Sequence, residues 1–376
     1  MDKKSGIARV RVGAIIFGFI RYLLFLLGLI FACPLIVLLL FSIITPITIS
    51  GIAYVIGYSL MVIGLITAPL WRKFTFVMIL SGIVTLILIA GARIALAKNV
   101  EESSKLKMIL LPQGKETRWI NYLIDEQDGV LFGEAALLRL GGVWPGEHEN
   151  IVPSLYEGYS ELRTIQSVFP SPFASTYLNF EKPIGFDAIV IEPEEQTPKF
   201  GLVFLHGYMG NVMIQCWRIA QAVEKLGGLT ICPSTDWTGA WWGTSGQAMV
   251  RATFHFLHER GIQMIYFGGF SNGSLGTSRL APSLAREDDR LSGLILIAGV
   301  TNARDIQKTG LPVLVIQGTQ DQRMPVANAQ QFTEEVGELA TYVEIESDHF
   351  LIMKQPALVQ EASTTWLEDR ESISRR

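Results

Sequence analysis

The chain has 376 residues, 49% of them hydrophobic, and 31 Lys and Arg against 35 Asp and Glu give a formal net charge of −4. That length admits two or three structural units, and the weak acidic balance lacks the basic footprint of a nucleic-acid binder. The mean hydropathy of +0.34 is high for a soluble protein, and the excess sits in the first ~95 residues, where membrane spans are the expectation.

Residues 12–44 are almost continuously apolar, interrupted by Arg21. After a mildly polar break at 46–50, a second apolar run covers 52–70 and is closed by Trp71-Arg72-Lys73, and a third covers 74–96. A helix needs roughly 20 apolar residues to cross the hydrocarbon core, so three spans are the simplest parse; a tight hairpin at Cys33-Pro34 would give four. Lys3, Lys4, Arg9 and Arg11 precede the first span and Arg72 and Lys73 follow the second, while the loop between the first two carries no Lys or Arg. The positive-inside rule then puts the N-terminus in the cytoplasm and, with three spans, everything after residue 96 on the extracytoplasmic side. A cleaved signal peptide has one short apolar region, whereas here the apolar character resumes twice, so residues 1–97 are expected to form a retained membrane module. Arg21 lies near one end of its span and gives little support to a transport pathway.

Residues 98–107 are polar and charged, as at an exit from the membrane. The stretch that follows is the least informative. Residues 118–124 suit a strand or the start of a helix, and 134–140 reads as helical up to Gly141-Gly142. Pro145, Pro153, Pro170 and Pro172 then punctuate the sequence. Residues 98–179 are expected to be a linker, an accessory layer or part of a cap.

Over residues 180–376 short apolar runs alternate with helical segments. Strands are predicted at 186–191, 200–205, 229–232, 264–267, 294–297, 313–316 and 342–345. Helices are predicted at 211–226 and at 246–260, the latter with Val250, Phe254 and Leu257 on one face. Such alternation implies an α/β fold, a mostly parallel sheet with helices on both faces. In such sheets functional groups gather at the carboxyl ends of the strands. The three cysteines argue against a disulfide framework; Cys216 and Cys232, on a predicted helix and strand end, are expected to be free and buried.

At the end of one strand stands Gly269-Phe270-Ser271-Asn272-Gly273, a G-x-S-x-G pentapeptide of the nucleophile-elbow type. Its glycines make room for a strained serine. Alone the pattern is weak, because glycine and serine are common in ordinary turns, but other strand ends supply partners. The strand at 200–205 runs into His206-Gly207-Tyr208-Met209-Gly210-Asn211, whose glycines free the backbone; the Tyr208 and Asn272 amides are the candidate oxyanion-hole donors. The strand at 313–316 ends in Gln317-Gly318-Thr319-Gln320-Asp321. The strand at 342–345 is followed by Glu346-Ser347-Asp348-His349, and His349 is the only histidine after the elbow. His148 lies in the linker region and His206 in the oxyanion turn; His255 and His258 share a helix with no cysteine or acidic cluster nearby, so they read as surface or packing residues and no metal site is expected. A serine nucleophile needs a base to take its proton and an acid to fix that base's tautomer. Ser271, His349 and Asp321 fill those roles. Asp348 is nearer in sequence, but an adjacent carboxylate rarely folds back onto its neighbour's ring.

With these motifs in order, residues 186–367 resemble the α/β-hydrolase superfamily, in which nucleophile, acid and histidine follow one another along the chain. The resemblance implies an eight-stranded type of sheet and serine hydrolase chemistry, without a metal or organic cofactor. Cleavage of a carboxylic ester through an acyl-enzyme is the leading expectation. A peptidase or acyltransferase with the same triad, and a non-catalytic membrane receptor or scaffold, are the alternatives, since this fold hosts many activities. Membrane tethering directs attention to small or lipid-like esters. Two departures stand out. Only about ten residues, 301–310, separate two strands where many members insert a lid, and Pro282 is expected to kink or end the helix after Ser271. In the loop Asp236-Trp237-Thr238-Gly239-Ala240-Trp241-Trp242-Gly243, Trp241 and Trp242 either line a substrate pocket or pack the loop onto the domain.

Overall fold

Three apolar helices open the chain: α1 (Lys3–Ile44), α2 (Ile49–Ile66) and α3 (Arg72–Glu101). The computed structural model describes residues 3–101, 104–140, 151–193, 197–210 and 212–374. Gly141-Gly142, Pro145, His148 and Asn211 lie outside the described residues. α1 runs unbroken through Pro34, so there is no hairpin there. Its stretch Ile15–Ile43, together with Ile49–Ile66 and Arg72–Asn99, gives three segments long and apolar enough to cross a membrane.

After α3 come two strands, β1 (Leu106–Leu111) and β2 (Lys115–Glu116), and three helices, α4 (Glu126–Leu140), α5 (Ile151–Ile165) and α6 (Phe173–Tyr177). Next are β3 (Phe186–Ile191), β4 (Gly201–Leu205), α7 (Val212–Glu224), β5 (Leu229–Pro233), α8 (Thr244–Glu259), β6 (Ile265–Phe270) and α9 (Asn272–Glu287). The chain closes with β7 (Leu291–Ile297), α10 (Ala303–Gln307), β8 (Val313–Gly318), α11 (Val326–Val336), β9 (Ala340–Ile345), α12 (Leu351–Lys354) and α13 (Pro356–Ser374). The strands form one sheet in the order β2-β1-β3-β5-β4-β6-β7-β8-β9. From β5 to β9 all pairings are parallel, while β1 and β3 enter antiparallel. Every residue of β3, β4, β6 and β8 is buried, as strands covered on both faces by helices require. One core joins the sheet to α5, α7 and α13, the other to α8, α9 and α11.

The region 98–179 is more than a linker. Its β1 pairs with β3 from Leu106↔Ile191 to Leu111↔Phe186, and Val130, Leu155 and Tyr159 join the core around Phe204 and Ile214. β1 reads Leu-Lys-Met-Ile-Leu-Leu, with little β-branching and no regular alternation, so its sequence signal is faint.

Two expectations are corrected. Cys216 on α7 and Cys232 on β5 are not free: they form a disulfide across 16 residues, with Cα atoms 6.0 Å apart. α7 packs directly against β5, which brings the two thiols together, and closing a loop of this length stabilises a fold by about 3 kcal/mol. Pro282 does not end its helix, since α9 continues to Glu287. Leu280, Ala281 and Leu284 are buried around it, and that packing outweighs the missing backbone bond.

The three apolar helices and the sheet meet at Asp125-Glu126-Gln127-Asp128. Asp128 caps α2, accepting from the Thr48 amide at 2.7 Å and the Thr48 hydroxyl at 2.5 Å. Asp125 accepts from Arg93 Nη1 at 3.2 Å and Arg163 Nη2 at 2.7 Å, and Gln127 Nε2 donates to the Pro46 carbonyl at 2.9 Å. Arg93 is a charged residue inside the apolar run 74–96, as Arg21 is inside the first run. Arg93 is buried and also donates to the Tyr122 carbonyl and Ser50 Oγ, which ties α3 to α2 and to the segment before α4. Glu126 points the other way and caps α7, accepting from the Met213 and Ile214 amides, each at 3.1 Å.

Candidate active site

Ser271 is the hinge between β6 and α9. Its amide donates to the Ile297 carbonyl in the sheet at 2.9 Å, and its carbonyl accepts the first bond of α9 from Leu275 at 3.0 Å. To serve both elements it takes φ 53 and ψ −118, a conformation costly for a residue with a side chain. The flanking glycines permit it. A Cβ at Gly269 would lie 2.4 Å from the Gly273 carbonyl carbon, and one at Gly273 would lie 2.0 Å from the Leu205 oxygen. The loop after β7 braces the turn, with Ser274 Oγ donating to the Gly299 carbonyl.

From the serine a chain of short hydrogen bonds leads inward. His349 Nε2 lies 2.8 Å from Ser271 Oγ, and His349 Nδ1 lies 2.8 Å from Asp321 Oδ2. The carboxylate fixes the proton on Nδ1, which leaves Nε2 free to accept from the serine hydroxyl. Asp321 stands in the turn after β8 and is held by four further bonds. The Arg323 and Met324 amides donate to Oδ1 at 2.9 Å each, Gln317 Nε2 donates to Oδ2 at 2.9 Å, and the Asp321 amide donates to the Gly318 carbonyl at 3.2 Å. Burial pushes its pKa up, but His349, the Met324 amide and Gln317 outweigh burial and hold it below the usual carboxylate value. Asp348 turns away, accepting from the Phe350 amide at 2.9 Å and from Lys354.

The turn after β4 sits against the elbow. A Cβ at Gly207 would lie 3.0 Å from the Phe270 oxygen and 3.1 Å from Ser271 Cβ. Asn272 is the first residue of α9, so its amide has no acceptor within the helix, and the Tyr208 amide has no backbone acceptor among the described residues. Of the two expected donors, Asn272 directly follows the serine, and Tyr208 directly follows Gly207, whose Cβ position lies against Ser271. The Tyr208 side chain is exposed and packs on Trp237 with ring centroids 5.2 Å apart. His206 anchors the same turn: its Nε2 accepts from the Thr235 amide at 3.2 Å, so Nδ1 carries the proton and donates to the Gly207 carbonyl at 2.8 Å. Burial pushes its pKa down to about 4, which keeps it neutral.

Trp241 does not line a pocket. It is fully buried, donates from Nε1 to the His206 carbonyl at 2.9 Å and stacks edge-on against the His206 ring, so it packs its loop onto the oxyanion turn. Trp242 is half-buried under Arg279, whose guanidinium lies 4.6 Å from the ring centroid. Among the described residues no cluster of three or more His, Cys, Asp and Glu is arranged to hold a metal; His255 and His258 lie beside Glu259 and Asp288 on the surface of α8.

A mostly parallel sheet with helices on both faces carries a strained serine at the end of a central strand, an aspartate after β8 and a histidine after β9. The chain has the α/β-hydrolase fold. No protein-family model and no curated protein matches it. Solved structures do. Est1E from Butyrivibrio proteoclasticus is 15% identical over 50% of this chain and 95% of its own, with a TM-score of 0.43. An alpha-beta serine hydrolase homologue from Coxiella burnetii is 18% identical over 50% of this chain and 94% of its own, with a TM-score of 0.40. XC6422 from Xanthomonas campestris, described as an a/b serine hydrolase without lid, is 20% identical over 48% of this chain and 89% of its own, with a TM-score of 0.40. The present chain has only the short α10 between β7 and β8.

Sequence reading passes over three supporting groups. Gln317, a polar residue ending an apolar strand, holds Asp321. Gln215 accepts from the Gly207 amide at 3.0 Å. Glu126, 145 positions before Ser271, holds the start of α7 and with it the segment after the oxyanion turn. It also accepts from Tyr159 at 2.9 Å and Ser171 at 2.5 Å. Complete burial outweighs these four donors and raises its pKa to about 7 from an ordinary 4.5.

A folded pKa above the unfolded one means a contribution to stability that is fully present below about pH 4.5 and lost as pH rises through about 7. The unfolding midpoint of the wild type relative to Glu126→Gln is therefore expected to fall between those two values and to level off above them. A pH-independent difference between the two proteins would contradict this.

Proposed function

We propose that the protein is a membrane-anchored serine hydrolase that cleaves a carboxylic ester. The observation that carries this reading is the unbroken Ser271–His349–Asp321 chain of hydrogen bonds, with the serine held at a strained turn. Ser271 Oγ attacks the ester carbonyl while His349 Nε2 takes its proton. The Tyr208 and Asn272 amides receive the oxyanion of the tetrahedral intermediate, the interaction on which much of the rate depends. His349 then returns the proton to the departing alkoxide, leaving an acyl group on Ser271. A water, deprotonated by the same imidazole, attacks that acyl group, and collapse of the second intermediate releases the acid and restores the serine. Asp321 keeps His349 in the required tautomer and stabilises the imidazolium as it forms.

Residues 1–97 are the anchor in this reading, and the catalytic unit is the whole sheet from β1 onward. Two observations support an extracytoplasmic catalytic unit. The 45–48 turn between α1 and α2 touches the soluble part through Pro46 and Thr48, which sets that part at the membrane face opposite Arg72 and Lys73, the face the positive-inside rule assigns to the cytoplasm. The Cys216–Cys232 disulfide suits an oxidising compartment.

A fluorophosphonate probe is expected to label the full-length protein on Ser271 and to leave Ser271→Ala unlabelled. Asp321→Asn, which keeps the shape but unsettles the tautomer, is expected to lower kcat by up to about 10⁴-fold. Ester hydrolysis undiminished in Ser271→Ala would defeat the reading. For orientation, a reporter that works only in the cytoplasm, fused after Arg376, should stay silent; a strong signal would put the catalytic unit on the other side.

A further inference from the structure

Beside the acidic joint, where α1, α2 and α3 meet the soluble part, lies a cavity of about 590 Å³, within the range of about 300–1,000 Å³ typical of ligand sites. Phe41, Val55, Leu86 and Ala90 line it from the apolar helices, and Phe132 and Phe173 from α4 and α6. The Phe41 and Phe132 rings meet edge-on at 5.0 Å, so the wall is continuous from the membrane segments to the soluble part.

The chemistry of that wall is selective. Its polar side chains already have partners inside the protein. Tyr54 donates to the Leu123 carbonyl at 2.8 Å, Tyr58 to the Phe31 carbonyl at 3.1 Å and Ser42 to the Leu39 carbonyl at 2.8 Å. Asp125 is held by Arg93 and Arg163, and Asp128 by Thr48. What remains for an occupant is hydrocarbon contact. The helical half of the wall belongs to segments that cross the membrane in the reading above, where the surrounding solvent is lipid acyl chains rather than water.

Through Phe173, the wall of the cavity is in contact with the turn after β4. Phe173 stacks on Tyr177 with ring centroids 4.6 Å apart, and Tyr177 donates to the Met209 carbonyl at 2.9 Å. Met209 adjoins Tyr208, one of the two candidate oxyanion donors. A single short helix, α6, therefore serves both as cavity wall and as support for the oxyanion turn.

We infer that this cavity takes the hydrocarbon chain of a membrane lipid, and that the ester attacked by Ser271 belongs to such a lipid, admitted from the bilayer rather than from water. This rests on the serine hydrolase reading and names its substrate class.

The test uses the full-length protein in phosphatidylcholine vesicles doped with a phosphatidylcholine whose palmitoyl chain carries a diazirine. Cross-links are expected on peptides containing Phe132 and Phe173, which belong to the soluble part, and are expected to be lost in Ala90→Phe. Leu88→Phe, which adds the same bulk to an exposed position of α3 off the wall, should cross-link like the wild type. Hydrolysis is read as the ratio of long-chain to acetyl p-nitrophenyl ester turnover, which should fall about tenfold or more in Ala90→Phe. Val55→Phe repeats both measurements from α2 in case Ala90→Phe fails to fold. Cross-links confined to lipid-facing residues of the apolar helices, or a chain-length ratio unchanged in both variants, would overturn the inference. Fluorophosphonate labelling of the same samples separates the two claims. Labelled Ser271 without chain-length discrimination defeats the lipid assignment alone; cross-links without Ser271-dependent labelling defeat the hydrolase reading and the substrate assignment with it.

Discussion

A serine backbone at φ 53 and ψ −118 costs on the order of 1–3 kcal/mol and persists only where its surroundings over-determine it. Here the Ile297 carbonyl holds one side and the first bond of α9 the other, while Gly269 and Gly273 allow strand and helix to close on the turn. The hydroxyl is thereby lifted to the carboxyl edge of the sheet. The turns after β4, β8 and β9 reach the same edge and bring the oxyanion turn, Asp321 and His349 within reach. The parallel sheet is what makes neighbours of Ser271, Asp321 and His349, which stand far apart in the sequence.

A second arrangement connects this site to the apolar helices. In four consecutive residues, Asp125 holds α3, Glu126 holds the start of α7, Gln127 holds the turn before α2 and Asp128 caps α2. Such buried, multiply bonded carboxylates add orientation more than net stability, because desolvation offsets much of their attraction. Their consequence is geometric. The turn after β4 precedes α7, and α7 is fixed to the same segment that fixes the three apolar helices, so the serine is tied through these contacts to the apolar part of the chain.

Much of this was legible in the sequence. All seven strands predicted after residue 180 exist, because each is a short run rich in apolar residues bounded by turn residues. The order of elbow, acid and histidine was readable because each follows a predicted strand, although Asp348 competed with Asp321 as the acid. What escaped prediction depends on contacts distant in sequence. β1 lacks strand character and is made a strand by its partner β3. The Cys216–Cys232 bond follows from α7 folding onto β5, which spacing does not reveal. Trp241, expected either to line a pocket or to pack its loop, does the second, with its bond to the His206 carbonyl, while Pro282 is carried through its helix by the core around it. Glu126 gave no local sign of its function, since its donors come from three other parts of the chain.

The central claim is that Ser271 carries the acyl group of the substrate. The most direct test is rapid mixing of the full-length protein with p-nitrophenyl acetate, followed by acid quench and mass spectrometry of the peptide containing the elbow. The account predicts a burst of nitrophenolate stoichiometric with enzyme and an acetyl group on Ser271 that decays as turnover proceeds. Turnover with no Ser271 adduct at any quench time, or an adduct on another residue that turns over at the steady-state rate, would contradict it.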